Sequence, residues 1–204
     1  KGLRKDPDLT NKIDKAVFPG LQGGPHDHTT AAIAIALKEA STLSFKKYGK
    51  QIVYNAQTLA TELIKNGFKL VGNGTQNHLM LINLTPIFGP GGGYFAQYAL
   101  DEAGITLNKN TIPGESSSPF YPSGVRLGTP ALTTRGMKEK EMVKIAVWYK
   151  RVLEEIKYYK LPKLKEERKP YLEKFRKEVR SSAELKKIRI EIKQFASKFP
   201  IFAW

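Results

Sequence analysis

The 204-residue chain contains no cysteine, only three histidines and no long uncharged apolar run. The absence of cysteine excludes disulfides, thiolate metal sites and a cysteine nucleophile, and three histidines alone make a poor zinc site. No stretch reaches the roughly 18 apolar residues of a membrane-spanning helix, and the basic opening residues do not form a signal peptide. We therefore expect a cytoplasmic protein without membrane association. Because the first residue is not methionine, we also expect a chain that is trimmed at its start.

Acidic residues are scarce, since 19 Asp and Glu stand against 34 Lys and Arg and leave a formal net charge of +15. Residues 137–204 hold 20 of the basic and 10 of the acidic residues, a net +10 by subtraction. In the same residues, apolar side chains recur every three to four positions, as in Met142, Ile145 and Tyr149. That period indicates amphipathic helices whose Lys and Arg face solvent, with binding of a polyanion such as nucleic acid as the alternative.

Helix and strand patterns alternate before this basic tail. Apolar helix formers over residues 29–40 predict a buried helix, and an apolar stripe over residues 52–64 predicts a second helix. Short strands are predicted at residues 68–71, 78–84, 105–107 and 125–127, with the first two as neighbours. A helix over residues 94–102 follows a glycine run at 89–93, which we interpret as a flexible connection. The mixture indicates an α/β fold with a helical tail.

Three local features are candidates for binding. Residues 20–25 offer backbone amides with little side-chain obstruction, which suits an anion-binding nest or an ordinary turn before a helix. His26 and His28 precede a predicted helix, where histidine pairs more often cap or stack than bind a metal. Arg126 has small and apolar neighbours, so its guanidinium requires an anionic partner. That partner is either a buried acidic side chain or a substrate carboxylate.

Four segments occur in an order that resembles serine hydroxymethyltransferase. They are VFPGLQGGPHDH at 17–28, GTQNHL at 74–79, AGITLNKNTIP at 103–113 and SPFYPSGVRLGTPALTTRG at 118–136. The resemblance is close over about residues 16–136 and looser in the helical tail. It implies the end of the large domain of a fold-type I pyridoxal-phosphate enzyme at residues 1–42. Residues 43–204 would form the small C-terminal α/β domain with an added helical tail.

The resemblance also implies roles for particular residues. Enzymes of this family use pyridoxal 5'-phosphate and tetrahydrofolate to interconvert serine and glycine. Arg126 would bind the carboxylate of the amino acid, and Gly24, beside Gly23, would donate its amide to the cofactor phosphate of the other subunit in a homodimer or tetramer. Asn110 would contact the pterin ring of the folate. The loop near the folate would be formed by Ser118, Pro119 and Phe120.

One motif of the family does not occur in this sequence. The Schiff-base lysine of these enzymes lies in a Thr-His-Lys-Thr segment, and the chain contains no such segment. Lys109 lies in an Asn-Lys-Asn setting that matches the folate-side strand instead. We therefore expect a C-terminal portion that holds no catalytic residue and is inactive alone. The alternative function is a stand-alone basic helical module that binds nucleic acid.

Overall fold

The computed structural model describes residues 5–201, and the chain divides into two compact units between Lys46 and Lys47. The first unit contains helix α1 (Leu9–Lys15), a π-helical turn (Ala16–Leu21) and helix α2 (Asp27–Ala40). Phe18 and Pro19 have non-helical backbone angles and interrupt regular helix between α1 and α2. Assignment of these units to a large and a small domain stays a prediction.

Helix α2 forms where the sequence predicts a helix, but the prediction that it is buried is wrong. The side chains of Ile33, Ile35 and Leu37 are 55%, 61% and 66% exposed. None of the described residues up to Lys46 is buried. Helix propensity arises within the segment itself, whereas burial requires a neighbouring element. In the first unit, α1 and the π-helical turn do not cover the apolar side chains of α2.

The second unit combines helices with a four-stranded sheet. Its elements are α3 (Leu43–Lys65, which begins just before the division), β1 (Lys69–Leu70), β2 (Leu79–Asn83), α4 (Thr85–Phe88), α5 (Gly92–Glu102), β3 (Asn108–Asn110), β4 (Gly124–Gly128), α6 (Pro130–Thr134), α7 (Glu139–Glu155), α8 (Lys165–Ser181) and α9 (Ala183–Ala196). The strand order is β1-β2-β4-β3, and each neighbouring pair is antiparallel. The predicted pairing of the first two strands and the mixture of helix and sheet are therefore confirmed.

The third strand lies three residues beyond its predicted position. After Gly104, which has a φ of +91°, the amide of Ile105 donates to the carbonyl of Leu100 at 2.8 Å. This hydrogen bond closes the end of α5, so Ile105 is not available to the sheet. Leu107 is only 7% exposed and packs in the core, and pairing with β4 begins at Asn108.

The glycine run at residues 89–93 is ordered and closely packed, so its interpretation as a flexible connection is wrong. The amide of Gly91 donates to Ser123 Oγ at 3.0 Å, and the amide of Gly93 donates to the carbonyl of Pro122 at 2.9 Å. A Cβ atom on Gly93 would lie 2.2 Å from the carbonyl oxygen of Gly124. Glycine therefore permits the start of α5 to contact the chain that enters β4.

One core joins the sheet to the helices of the tail. Met80, Ile82 and Val125 are buried on one face of the sheet, in the same apolar cluster as residues of α3, α5 and α7. The predicted periodicity of α7 is confirmed, because Met142 and Tyr149 are fully buried. Charged residues of the tail are in part paired, as when Arg151 of α7 contacts Glu184 and Glu191 of α9 at 2.6 Å each. The basic tail is thus an integral part of this unit.

Candidate functional site

Arg126 lies on the face of the sheet opposite the core. Side chains alternate along β4, so Val125 points into the core while Arg126 is exposed on the other face. Leu81 of β2 and Asn108 of β3 are its directly paired neighbours. Within residues 5–201, the Arg126 side chain makes no hydrogen bond or ion pair. A buried ion pair, the first alternative from the sequence, is therefore wrong, and the guanidinium is free to bind an external anion.

Asn110 projects from the same face at the end of β3. It pairs with Gly124, which places it diagonally from Arg126, at about 7–8 Å by ordinary sheet geometry. Its Nδ2 atom donates to the carbonyl of Thr111 at 2.7 Å. A Cβ atom on Gly124 would lie 2.5 Å from Ile112 Cγ2 and 3.0 Å from the carbonyl oxygen of Asn110. The glycine therefore allows Ile112 to fold over this end of the sheet.

Glu115 holds together the connection between β3 and β4. Its carboxylate accepts hydrogen bonds from the amide of Ser117 at 2.9 Å, the amide of Ser123 at 2.8 Å and the hydroxyl of Ser123 at 2.6 Å. Partial burial acts to raise the Glu115 pKa, but the hydrogen bonds from Ser123, Ser117 and Ile112 outweigh it and lower the pKa below its usual value. The ionised carboxylate therefore closes the loop that joins the two strands.

Sequence reasoning missed Glu115. Its main partner, Ser123, lies eight residues along the chain, and only the closed loop brings the two together. The available signal was weak: an acidic residue after the turn-forming pair Pro113 and Gly114.

Ser118, Pro119 and Phe120 form the outer part of this loop. The carbonyl of Ser118 accepts a hydrogen bond from the amide of Tyr121 at 2.9 Å, and the Phe120 side chain is 80% exposed. Lys109 Nζ donates to the carbonyl of Phe120 at 2.9 Å. Lys109 therefore braces the loop against β3.

Gly23 and Gly24 lie in the first unit, before α2. Both are exposed, and a Cβ atom on either would meet nothing within 4 Å. Their amides make no hydrogen bond with another described residue, so this stretch can donate to an anion. The rings of His26 and His28 stack with centroids 5.9 Å apart. Residues 5–201 contain no group of three or more His, Cys, Asp or Glu side chains that could hold a metal ion.

No helix in the described part of the chain is both long enough and apolar enough to cross a bilayer.

The known proteins to which this chain is similar share one family description. Residues 1–149 match the family model described as serine hydroxymethyltransferase. A serine hydroxymethyltransferase of Methanospirillum hungatei is 46% identical over 197 residues, which is 97% of this chain and 42% of that protein. Those of Sorangium cellulosum and Acidothermus cellulolyticus are 56% and 59% identical over 144 and 136 residues, or 71% and 67% of this chain.

The chain is shorter than these relatives. It covers 42%, 34% and 31% of the lengths of the three curated proteins. The alignment with the Methanospirillum hungatei protein takes in nearly all of this chain, so the helical tail is included in the similarity. On the family model and these identities, the chain belongs to the serine hydroxymethyltransferase family.

Proposed function

We propose that this chain is the C-terminal portion of an enzyme that interconverts serine and tetrahydrofolate with glycine and 5,10-methylenetetrahydrofolate. The observation that carries the proposal is Arg126, an exposed cation on the open face of the sheet with no partner among the described residues. Asn110, a hydrogen-bonding side chain, lies diagonally from it on the neighbouring strand. A carboxylate ligand and a polar ring system could therefore be held on the same face.

Arg126 would bind the carboxylate of serine or glycine. A guanidinium presents two parallel N–H donors, and this fork matches the two oxygens of a carboxylate. Two hydrogen bonds fix the direction of the amino acid as well as its location, which orients the bonds at its α-carbon. Attachment to a paired strand, rather than to a loop, would keep that direction constant.

Gly23 and Gly24 would hold the phosphate of pyridoxal 5'-phosphate, in the other subunit of a homodimer or tetramer. Their exposed amides without partners fit a phosphate, because no side chain obstructs the approach. When bound, the cofactor supplies a ring that accepts the electron pair of the breaking bond at the α-carbon. The chain contributes binding and orientation, and no catalytic residue of its own.

Asn110 and the outer loop would bind tetrahydrofolate. The Asn110 amide can hydrogen-bond a pterin ring, and the loop of Ser118, Pro119 and Phe120, in which the Phe120 ring is exposed, would close near the folate. The Glu115 carboxylate and the Lys109 ammonium would keep this loop in place. We further propose that the complete enzyme is cytoplasmic. The nucleic-acid-binding alternative has no support from the comparisons.

The proposal can be tested with a chimaera. The aligned region of the Methanospirillum hungatei relative is replaced by this chain, and conversion of serine to glycine is measured with both cofactor and tetrahydrofolate present. We expect the chimaera to convert serine and the 204-residue chain alone to be inactive, because it lacks the cofactor lysine of the family. The intact relative is the positive control. A chimaera that folds and binds the cofactor without converting serine would overturn the proposal, as would comparable activity of the chain alone.

A further inference from the structure

A mainly apolar pocket lies between the sheet and the helices α6, α7 and α9. Its volume is about 300 Å³, which is at the lower end of the range for small-molecule sites. Leu127 of β4 lines it and lies one position along the strand from Arg126, so the pocket and Arg126 are on opposite faces of the sheet. No step of the proposed function uses this pocket. The other apolar walls include Leu132, Ile145, Trp148, Ile192 and Phe195.

Other contacts hold the walls of this pocket in place. Trp148 is 3% exposed, and its Nε1 atom donates to Glu191 Oε2 at 2.8 Å. The ring of Phe195 packs against Trp148 with the centroids 5.1 Å apart. Leu59 and Met137, which also line the pocket, are buried in the core. The pocket is therefore formed before a ligand arrives, and binding orders few side chains.

Arg135 is the only charged residue among the described residues that line the pocket. Its Nε atom donates to the carbonyl of Phe199 at 2.6 Å, and its Nη2 atom donates to the carbonyl of Ala196 at 2.7 Å. These acceptors are uncharged, so they hold the guanidinium in place without neutralising it. Within residues 5–201, Arg135 forms no ion pair and its Nη1 atom makes no hydrogen bond. The N–H groups of Nη1 are therefore available to an anion.

A suitable occupant combines an apolar body with a single negative charge. A carboxylate accepts charge-assisted hydrogen bonds from a guanidinium, whereas a multiply charged anion would exceed the single positive charge of Arg135. We propose that this pocket binds an unbranched aliphatic monocarboxylate of about six to ten carbons, a length that suits a pocket of this volume. The aliphatic chain lies among the apolar walls, and the carboxylate contacts Arg135.

The test measures binding of hexanoate, octanoate and decanoate to the 204-residue chain by calorimetry, with no other ligand present. The variant Arg135→Gln removes the charge at the pocket. Arg126→Gln removes the same charge from the opposite face of the sheet, so it is the matched control and detects binding of the probe at the proposed amino-acid site. Failure of the proposed function therefore leaves this test unaffected.

A second pair of variants changes the space in the pocket instead of its charge. Ala131 is exposed and lines the pocket, so Ala131→Leu narrows it without altering the core. Ala183→Leu, at an exposed position at the start of α9, is the matched control. Melting temperatures of all four variants show whether folding is retained.

We expect saturable binding of octanoate, with affinity that rises about fourfold for each added CH₂ group up to the length that the pocket accepts. Arg135→Gln should weaken octanoate binding by about tenfold or more, and Ala131→Leu by about fourfold or more, while both controls bind normally. Absence of octanoate binding below about 5 mM would overturn the proposal. So would equal losses in Arg135→Gln and Arg126→Gln, or normal binding by both folded pocket variants.

Discussion

Replacement of Arg126 by lysine separates charge from geometry at the proposed carboxylate site. The positive charge is retained, but an ammonium group cannot form the two parallel hydrogen bonds of a guanidinium. Because Arg126 makes no hydrogen bond or ion pair within residues 5–201, the substitution removes no polar interaction among these residues. Its effect should therefore appear in binding of the amino acid and not in stability.

The expected sizes of the two effects differ clearly. A hydrogen bond to a charged group contributes about 1.5–3 kcal/mol, so loss of one should weaken serine and glycine binding by about ten- to hundredfold. An exposed substitution away from structural contacts changes the free energy of unfolding by less than about 0.5 kcal/mol. Cofactor binding should be unchanged, because the residues proposed for it, Gly23 and Gly24, lie in another part of the chain.

The assay uses the chimaera for binding and the 204-residue chain for unfolding. Serine and glycine affinities, cofactor absorbance and denaturant midpoints are measured for Arg126→Lys and for Arg189→Lys, an exposed arginine of α9 that serves as the control. The control should bind both amino acids normally. Normal amino-acid binding by Arg126→Lys together with lost cofactor, or a large loss of stability, would refute the assignment.

Three further predictions concern folding of the second unit. Gly93→Ala should destabilise this unit by about 1–3 kcal/mol in a denaturation assay, because the added Cβ would lie 2.2 Å from a backbone oxygen. Gly49→Ala in α3 is the control and should be neutral or stabilising, because a Cβ there would meet nothing within 4 Å. Tyr149→Phe should raise the unfolding free energy by about 1 kcal/mol and the melting temperature by about 2–4 °C, because the Tyr149 hydroxyl is buried without a hydrogen-bond partner in the described structure. The pKa of Glu115 is lower in the folded chain than in the unfolded chain, so its contribution to stability is present above the unfolded pKa and is lost as pH falls through the folded pKa. Glu115→Gln should therefore lower stability by about 1 kcal/mol at pH 7 and flatten the acid dependence, which unfolding curves from pH 7 to pH 3 would detect.

Much of the fold can be predicted from local sequence patterns. The predictions are wrong where contacts between residues far apart in the chain determine the structure. The period of α7 and the pairing of β1 with β2 depend on residues close in sequence, and both were predicted. The expectation of a flexible connection at residues 89–93 is wrong because the packing of these glycines depends on Pro122 and Gly124, about thirty residues later. Composition alone could not distinguish a mobile glycine segment from one that permits close backbone contact.

In the candidate site, too, sequence indicates features that depend on neighbouring residues and misses those that depend on contacts between residues far apart in the chain. Arg126 could be chosen as a candidate because the small and apolar residues beside it make a charged side chain conspicuous, and its role stays a prediction. Glu115 could not, because its hydrogen bonds to Ser123 exist only when the loop is closed. Sequence neighbours can therefore suggest a candidate ligand-binding residue. A residue that stabilises the surrounding loop through distant hydrogen bonds becomes visible only in the folded structure.

Charge in the tail illustrates why a count of lysines and arginines does not determine function. The sequence fits a solvated helical surface, and the structure divides the basic residues into groups with different partners. Arg151 contacts two glutamates, whereas Lys165 and Lys169 contact neither acid nor other polar group within the described residues. Phe120, more than forty residues earlier in the chain, lines the same surface pocket as these two lysines. A net charge of +15 therefore predicts general attraction to anions, while a specific anion site requires unpaired cations, a cavity and a neighbouring wall in one place.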